Sequence, residues 1–253
     1  MRRLLFLLLG LAAVTPRLAA EDDPMDPLAG CPEPLAAAIR AYGRDAGRWA
    51  YTQHIIQYDR KGRVEQEQVA RFDPSQHYDV QWTLLQQNGK EATESQAKKF
   101  RKERTKMSKN RRTLGELLVL REAKLVRESG DELVYVVPLK KDENNRLPPE
   151  KFEVLVTLNR GAQTLRAIDV QLKKSWRVAG VVNVKSGEAH LGFETVKPEH
   201  GPAVTRIVGE GRATILLVPV GAKGEVKRSD FKRVTPYDER FNVKIGPLKT
   251  IDF

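Results

Sequence analysis

The sequence has few of the residues from which proteins build disulfides and metal centres. Its 253 residues include one cysteine and four histidines. A single cysteine excludes an internal disulfide and any zinc site built on paired cysteines. No two histidines have the three- or four-residue spacing with which a helix holds a metal. We therefore predict neither a metal nor a cofactor; the histidines are His54, His77, His190 and His200.

Patterns that place a nucleophile or bind a nucleotide are also lacking. Gly209 and Gly211 have neither the third glycine nor the following helix of a dinucleotide-binding loop. Cys31 lies beside Pro32, close to the expected start of the mature chain, where a nucleophile would be poorly held. We predict no catalytic residue and expect that the protein is not an enzyme.

Long apolar runs are absent after the N-terminus. Arg2 and Arg3 precede the apolar stretch Leu4 to Val14, and Ala20 ends the segment with a small residue. This order is typical of a secretory signal peptide. The apolar stretch is far shorter than the roughly 20 residues that span a bilayer. We predict export, cleavage near Ala20, and a disordered acidic lead-in at 21–30.

A second processing site is an alternative. The four residues Leu28 to Cys31 match the lipobox at which bacterial lipoproteins are cleaved and acylated. Acylation of Cys31 would anchor the protein to a membrane. Four acidic residues separate this motif from the apolar stretch, whereas a lipobox normally abuts it. Cleavage near Ala20 is therefore favoured, and the anchor at Cys31 stays an alternative.

Positive charge is concentrated in one segment. Without residues 1–20 the chain has 41 basic and 33 acidic residues, a net charge of +8, and residues 98–112 alone carry nine basic residues and one acid. A dense positive segment favours an anionic partner, such as an anionic lipid head group, lipopolysaccharide or an acidic envelope protein. The alternative is a solvated helix face whose long stems cover apolar surface. The candidate contacts are Lys98, Lys99, Arg101, Lys102, Arg104 and Lys106.

Apolar residues alternate with polar ones along most of the C-terminal half. Between Lys151 and Val220 this period of two predicts successive β-strands joined by tight turns, which only antiparallel neighbours allow. Turns are predicted at Arg160-Gly161 and Ser186-Gly187, a bulge or bend at Gly209 and Gly211, and a last strand pair from Phe231 through Ile245. A sheet this wide curls, and its apolar face needs a cover.

The N-terminal half contains the helices that we predict to cover the apolar face of the sheet. A short helix is expected from Pro34 to Tyr42, followed by strands at 49–56, 64–72 and 80–85. Capping boxes that begin at Thr93 and Thr113 predict a helical insertion at about 93–120. Strands resume at 124–128 and 133–137.

This order of elements resembles the periplasmic LolA/LolB-like superfamily. Three stretches are also similar to an uncharacterised bacterial branch of it: Ala70 to Ser75, Trp82 to Leu85 and Ser229 to Val234. The resemblance implies one domain over 31–253 and an incomplete β-barrel. It is an α+β fold, mainly β, in which an N-terminal helix and a helical insertion cover the concave face of a strongly curved antiparallel sheet. Known members carry lipoprotein acyl chains or sense envelope stress.

Two functions follow as hypotheses. In the first, the periplasmic half-barrel binds a lipid, an acyl chain or another apolar ligand without catalysis. In the second, the basic helix at 98–112 docks on an acidic envelope partner and the half-barrel is a scaffold, with stress sensing as one role. We expect a monomer, no nucleic acid partner and peripheral contact with a membrane. The candidate ligand contacts on the concave face are Trp82, Phe152, Val154, Val156, Ile168 and Val170.

Overall fold

The computed structural model describes residues 28–108, 113–141, 148–178, 182–215 and 218–240. The expected signal peptide and its cleavage site lie outside these residues. So do three cations of the basic segment, Lys109, Arg111 and Arg112, and the expected final strand beyond position 240.

Three α-helices lie within the described residues. Helix α1 spans Glu33–Asp45, three residues beyond the predicted end, and starts with Pro34 in its first turn, where a missing N–H costs nothing. Helix α2 spans Glu94–Ser108, and the Gln96 N–H donates to the hydroxyl of Thr93 at 3.4 Å, as the predicted capping box requires. The short helix α3, Leu114–Leu117, has the second predicted capping box, between Thr113 and Glu116.

Within the described ranges, twelve strands form one antiparallel sheet. Their order across the sheet is β4-β3-β2-β1-β12-β11-β10-β8-β7-β6-β5, with β9 paired to β10. The end strands β4 and β5 do not pair with each other, so the sheet is an open half-barrel and the predicted fold class is confirmed. The strands are β1 Trp49–Tyr58, β2 Val64–Phe72, β3 Trp82–Gln87, β4 Lys90–Glu91, β5 Lys124–Ser129, β6 Glu132–Val136, β7 Phe152–Asn159, β8 Thr164–Leu172, β9 Trp176–Val178, β10 Val182–Glu194, β11 Ala203–Ile215 and β12 Val218–Arg233.

The predicted breaks at the glycines of the C-terminal half are wrong. Ser186-Gly187 is no turn, because β10 continues through it with only a register shift beside Val184, and β11 runs unbroken through Gly209 and Gly211. The register explains this: Gly187 lies opposite Gly211, and Gly209 lies opposite Gly224 of β12. Each of these glycines keeps its place in the antiparallel ladder, so none of them ends or bends a strand.

The apolar face of the sheet is divided between two clusters of buried side chains. The larger cluster joins strands β6, β7, β8 and β10 to Leu35, Ala38 and Tyr42 of α1 and to three leucines at 114–120. The smaller cluster, which we call the aromatic cluster, contains Trp49, Tyr51, Phe72, Trp82 and Phe100 as its aromatic members. Helix α1 therefore covers one part of the half-barrel and α2 the other.

A part-buried ion pair fixes the C-terminal end of α1. The Arg233 guanidinium donates from Nη2 and Nε to the same carboxylate oxygen of Asp45, at 2.7 and 3.1 Å. The other carboxylate oxygen accepts the Gly201 N–H at 2.9 Å. Asp45 thus joins α1 to β12 and to the loop before β11.

Replacing Gly201 by alanine is expected to lower the free energy of unfolding by about 2 kcal/mol. A Cβ at this position would collide with the backbone carbonyl of Ala41 in α1, and backbone cannot swing aside as a flexible side chain does. Urea denaturation measures the loss. Gly43→Ala is the matched control because a Cβ there meets no atom within 4 Å; a Gly201 variant as stable as this control would contradict the tight approach.

Candidate binding surfaces of the half-barrel

Five of the six predicted ligand contacts lie under or beside helix α1. Val154, Val156, Ile168 and Val170 point into the larger cluster and are almost completely buried by the protein's own side chains. Phe152 is half-buried at the margin of this cluster, with its ring centroid 5.5 Å from that of Trp176. A ligand would reach these residues only if α1 moved.

Trp82 lies in the aromatic cluster. Its ring packs 4.7 Å from that of Phe72 and 6.1 Å from that of Phe100, measured between centroids. Its indole Nε1 is buried and has no hydrogen-bond partner within the described chain. The structure therefore separates Trp82 from the other five predicted contacts.

Helix α2 covers the aromatic cluster with a single fully buried side chain. Phe100 is 4 % exposed, and the other side chains described in the helix are half-buried or exposed. The Arg104 guanidinium lies over two rings, 4.9 Å from the centroid of Phe100 and 5.4 Å from that of Trp82. Arg104, predicted to contact an anionic partner, is thus part of the packing between helix and sheet.

The opposite side of α2 borders an open cleft of ≈ 490 Å³. The helix packs against strand β3 and against the 3-10 turn Tyr78–Val80 that precedes it. Asp79 from this turn faces the cleft. The helical residues that line the cleft have the spacing of one helix face, and we call this set the cationic face: Lys98, Arg101, Lys102, Thr105 and Lys106.

The cations of the cationic face have no close ionic partner in the described chain. Within the described chain, Lys98, Arg101, Lys102 and Lys106 form no ion pair, and neither does Lys99, which lies outside the cleft lining. The Arg101 Nε is buried and has no hydrogen-bond partner among the described residues. A buried N–H without an acceptor costs free energy.

Residues of the 78–80 turn were not predicted as part of any site. Tyr78 and Val80 flank Asp79 and are 47 % and 46 % exposed. The Tyr78 hydroxyl donates a hydrogen bond to Asp238, and its ring packs against that of Tyr237. The sequence predicted Val80 as the start of a strand, so its exposure beside a basic helix was not foreseen.

Two histidines of the sheet lie beside carboxylates of neighbouring strands. His54 lies 2.5 Å from Glu67, and His190 lies 2.7 Å from Asp169 on the neighbouring strand. Burial raises the pKa of Tyr135, with Cys31 and Glu128 adding to the effect. Cys31 itself is half-buried against the larger cluster. Across the described ranges no three potential metal ligands come together.

Comparisons with known proteins identify a likeness of fold. No family model matches this sequence, and no curated protein matches it. The crystal structure of a LolA superfamily protein from Nitrosomonas europaea matches with a TM-score of 0.43 and 13 % identity, over 83 % of this chain and 96 % of that chain. Within the described residues no helix is long and apolar enough to span a membrane. The described strands form an open antiparallel half-barrel with a few helices.

Proposed function

We propose that this protein is an exported, periplasmic and non-catalytic binding protein whose half-barrel holds a lipid, an acyl chain or another apolar ligand. The observation that supports this best is the thin cover over the aromatic cluster. A single buried phenylalanine of α2 closes a surface formed by Trp82, Phe72 and Tyr51. An apolar ligand that replaced Phe100 would meet a preformed aromatic wall.

The free energies of burial favour the replacement of Phe100 by an apolar ligand. Exposing one phenylalanine costs about 1.5–3 kcal/mol, and each buried methylene group of a ligand returns about 0.8 kcal/mol. Burial of about four methylene groups therefore offsets the exposure of Phe100, and a fatty acyl chain has several times that number. Binding of an ordinary lipid would therefore offset the free energy needed to expose Phe100.

The larger cluster would form the deeper part of the ligand site. Its cover is thicker, because α1 inserts Leu35, Ala38 and Tyr42 and the 114–120 segment adds three leucines. The five predicted contacts there, Phe152, Val154, Val156, Ile168 and Val170, would meet a ligand only after α1 is displaced. We propose Trp82 as the first contact.

Phe100→Ala is expected to tighten the binding of a fluorescent fatty acid, such as cis-parinaric acid, by about tenfold. The variant removes the protein's own occupant of the site, whose burial is worth about 1.5–3 kcal/mol. Its stability should fall by about 2 kcal/mol, because the helix can settle into the gap. Energy transfer from tryptophan to the bound fatty acid measures the affinity.

The comparison variant is Leu35→Ala, which truncates a buried side chain of α1 above the larger cluster. It should destabilise the protein but tighten the binding less than Phe100→Ala does, because Phe100 still covers Trp82, the proposed first contact. Binding should change little between low and high salt, since the contacts are apolar. Equal tightening in both variants, or no saturable binding in either, would contradict the proposed site.

A second candidate function is docking on an acidic envelope protein through the basic segment 98–112, with the half-barrel as a scaffold or stress sensor. The unpaired cations of the cationic face support it. Capture of such a partner should weaken at high salt, opposite to the uptake of an apolar ligand. Salt dependence therefore distinguishes the two functions.

The third possibility, a lipid anchor at Cys31, is tested by the mass of the protein purified from its own envelope. A mass equal to that of a chain beginning at Glu21 would support cleavage near Ala20. A mass equal to that of a chain with an acylated Cys31 at its start would support the anchor. Solvent extraction of the same sample would identify a lipid carried in the half-barrel.

A further inference from the structure

We propose that the cationic face of α2 and the exposed turn at Tyr78–Val80 form one surface that docks on an anionic phospholipid membrane. This surface adds to the proposed ligand binding but does not depend on it. Its elements are the unpaired cations that line the cleft and two exposed apolar side chains beside them. Together they combine charge and apolar contact, the two features of interfacial membrane binding.

The positive charge is suited to lipid head groups. Lys98, Arg101, Lys102 and Lys106 lie on one helix face and have no anionic partner in the described chain. Arg101 also lines the cleft, and a guanidinium is a strong hydrogen-bond donor to phosphate oxygens. Among the described residues, Asp79 is the one acidic group that lines this cleft, and its carboxylate lies 3.5 Å from His77.

The apolar side chains distinguish a membrane from a soluble acidic protein. Val80 and Tyr78 are nearly half exposed although they adjoin a charged cleft, and Tyr78 is held in place by its hydrogen bond to Asp238. A membrane interface accepts both an aliphatic and a tyrosyl side chain at the level of the head groups. A held Tyr78 also means that little conformational entropy is lost on docking.

The test is sedimentation of the full mature protein with vesicles of equimolar phosphatidylglycerol and phosphatidylcholine, compared with vesicles of phosphatidylcholine alone. We expect binding to the anionic vesicles only, and its loss at high salt. The double variant K98E/K102E should bind at least about 30-fold more weakly, because each cation near an anionic surface contributes several-fold. D79N should bind about fivefold more tightly.

The matched control is K124E/R127E, which makes the same change in net charge on the exposed edge strand β5. It should bind nearly as well as the wild type. Val80→Ser should weaken binding about fivefold without altering its salt dependence, because it removes apolar contact alone. An equal loss in both double variants, equal binding to neutral vesicles, or full competition by soluble glycerophosphoglycerol would overturn the proposal.

Uptake of cis-parinaric acid without vesicles separates this inference from the proposed function. K98E/K102E should take up the fatty acid as the wild type does. If the wild type binds anionic vesicles but no fatty acid, the ligand site is refuted and the docking surface stands. If the wild type binds fatty acid but no anionic vesicle, the docking surface is refuted and the ligand site stands.

Discussion

Trp49→Ala is expected to lower the free energy of unfolding by about 3–5 kcal/mol, the largest effect that we predict for a single substitution. Trp49 is 2 % exposed and lies at the start of β1. Its ring centroid is 5.5 Å from that of His200 and 6.0 Å from that of Phe231. The indole therefore links the aromatic cluster to β12 and to the loop before β11, and its removal would leave a cavity among three elements.

Trp176→Ala is the matched control for this prediction. Trp176 lies in the short strand β9, is only partly buried, and stacks edge-on with Phe152 alone among the described aromatic rings. The cost should be about 1 kcal/mol, since part of the Trp176 side chain is already in contact with water. Urea denaturation of the two variants measures the difference, and equal losses would contradict the assignment of Trp49 to the core.

Asp45→Asn is expected to cost about 3 kcal/mol at pH 7. Breaking a buried ion pair typically costs 3–5 kcal/mol, and the lower end applies here because the Arg233 side chain is about one-third exposed. Asparagine offers one acceptor oxygen where the carboxylate uses two, one for Gly201 and one for Arg233. The end of α1 would lose one of these two attachments.

The same ion pair makes stability depend on pH. Burial raises the pKa of Asp45, but the Gly201 N–H and the hydrogen bonds and charge of Arg233 outweigh it, so the pKa is lowered overall. The folded protein thus binds this proton less readily than the unfolded chain. The stabilisation is complete above the ordinary carboxyl pKa of about 3.9 and is lost as the pH falls through the lowered value.

Denaturation curves at pH 7 and at successively more acidic pH values check this sign. The stability difference between wild type and Asp45→Asn should shrink on acidification. Asp59→Asn is the control: hydrogen bonds from Arg63 lower the pKa of Asp59, but this pair lies at a hairpin turn where Arg63 is exposed to solvent, and the substitution should change stability little. A difference at Asp45 that stayed constant with pH would contradict the ion pair.

The aromatic cluster shows how much of the site could be predicted. The period-two pattern predicted an interior position for Trp82, Val154, Val156, Ile168 and Val170, and all five are buried. Which of them would share a cluster could not be predicted, because that depends on where β1 pairs with β12. The paired residues Ile55 and Val226 of these strands are 171 positions apart in the chain. The division between the covers of α1 and α2 follows from this long-range pairing.

Sequence alone determined the local features of this protein. These features depend on residues that are close together in the chain. They are the capping boxes at Thr93 and Thr113, the hairpin between β1 and β2, the alternation of β7 and β8, and the concentration of charge in 98–112. Only the tertiary structure decided that Gly187, Gly211 and their neighbours lie side by side in unbroken strands. It also decided that one phenylalanine of α2 closes the aromatic cluster while the opposite face of the helix stays charged beside Val80. Strand register and helix docking join residues far apart in the chain, and the period of a single segment contains no information about its distant partners.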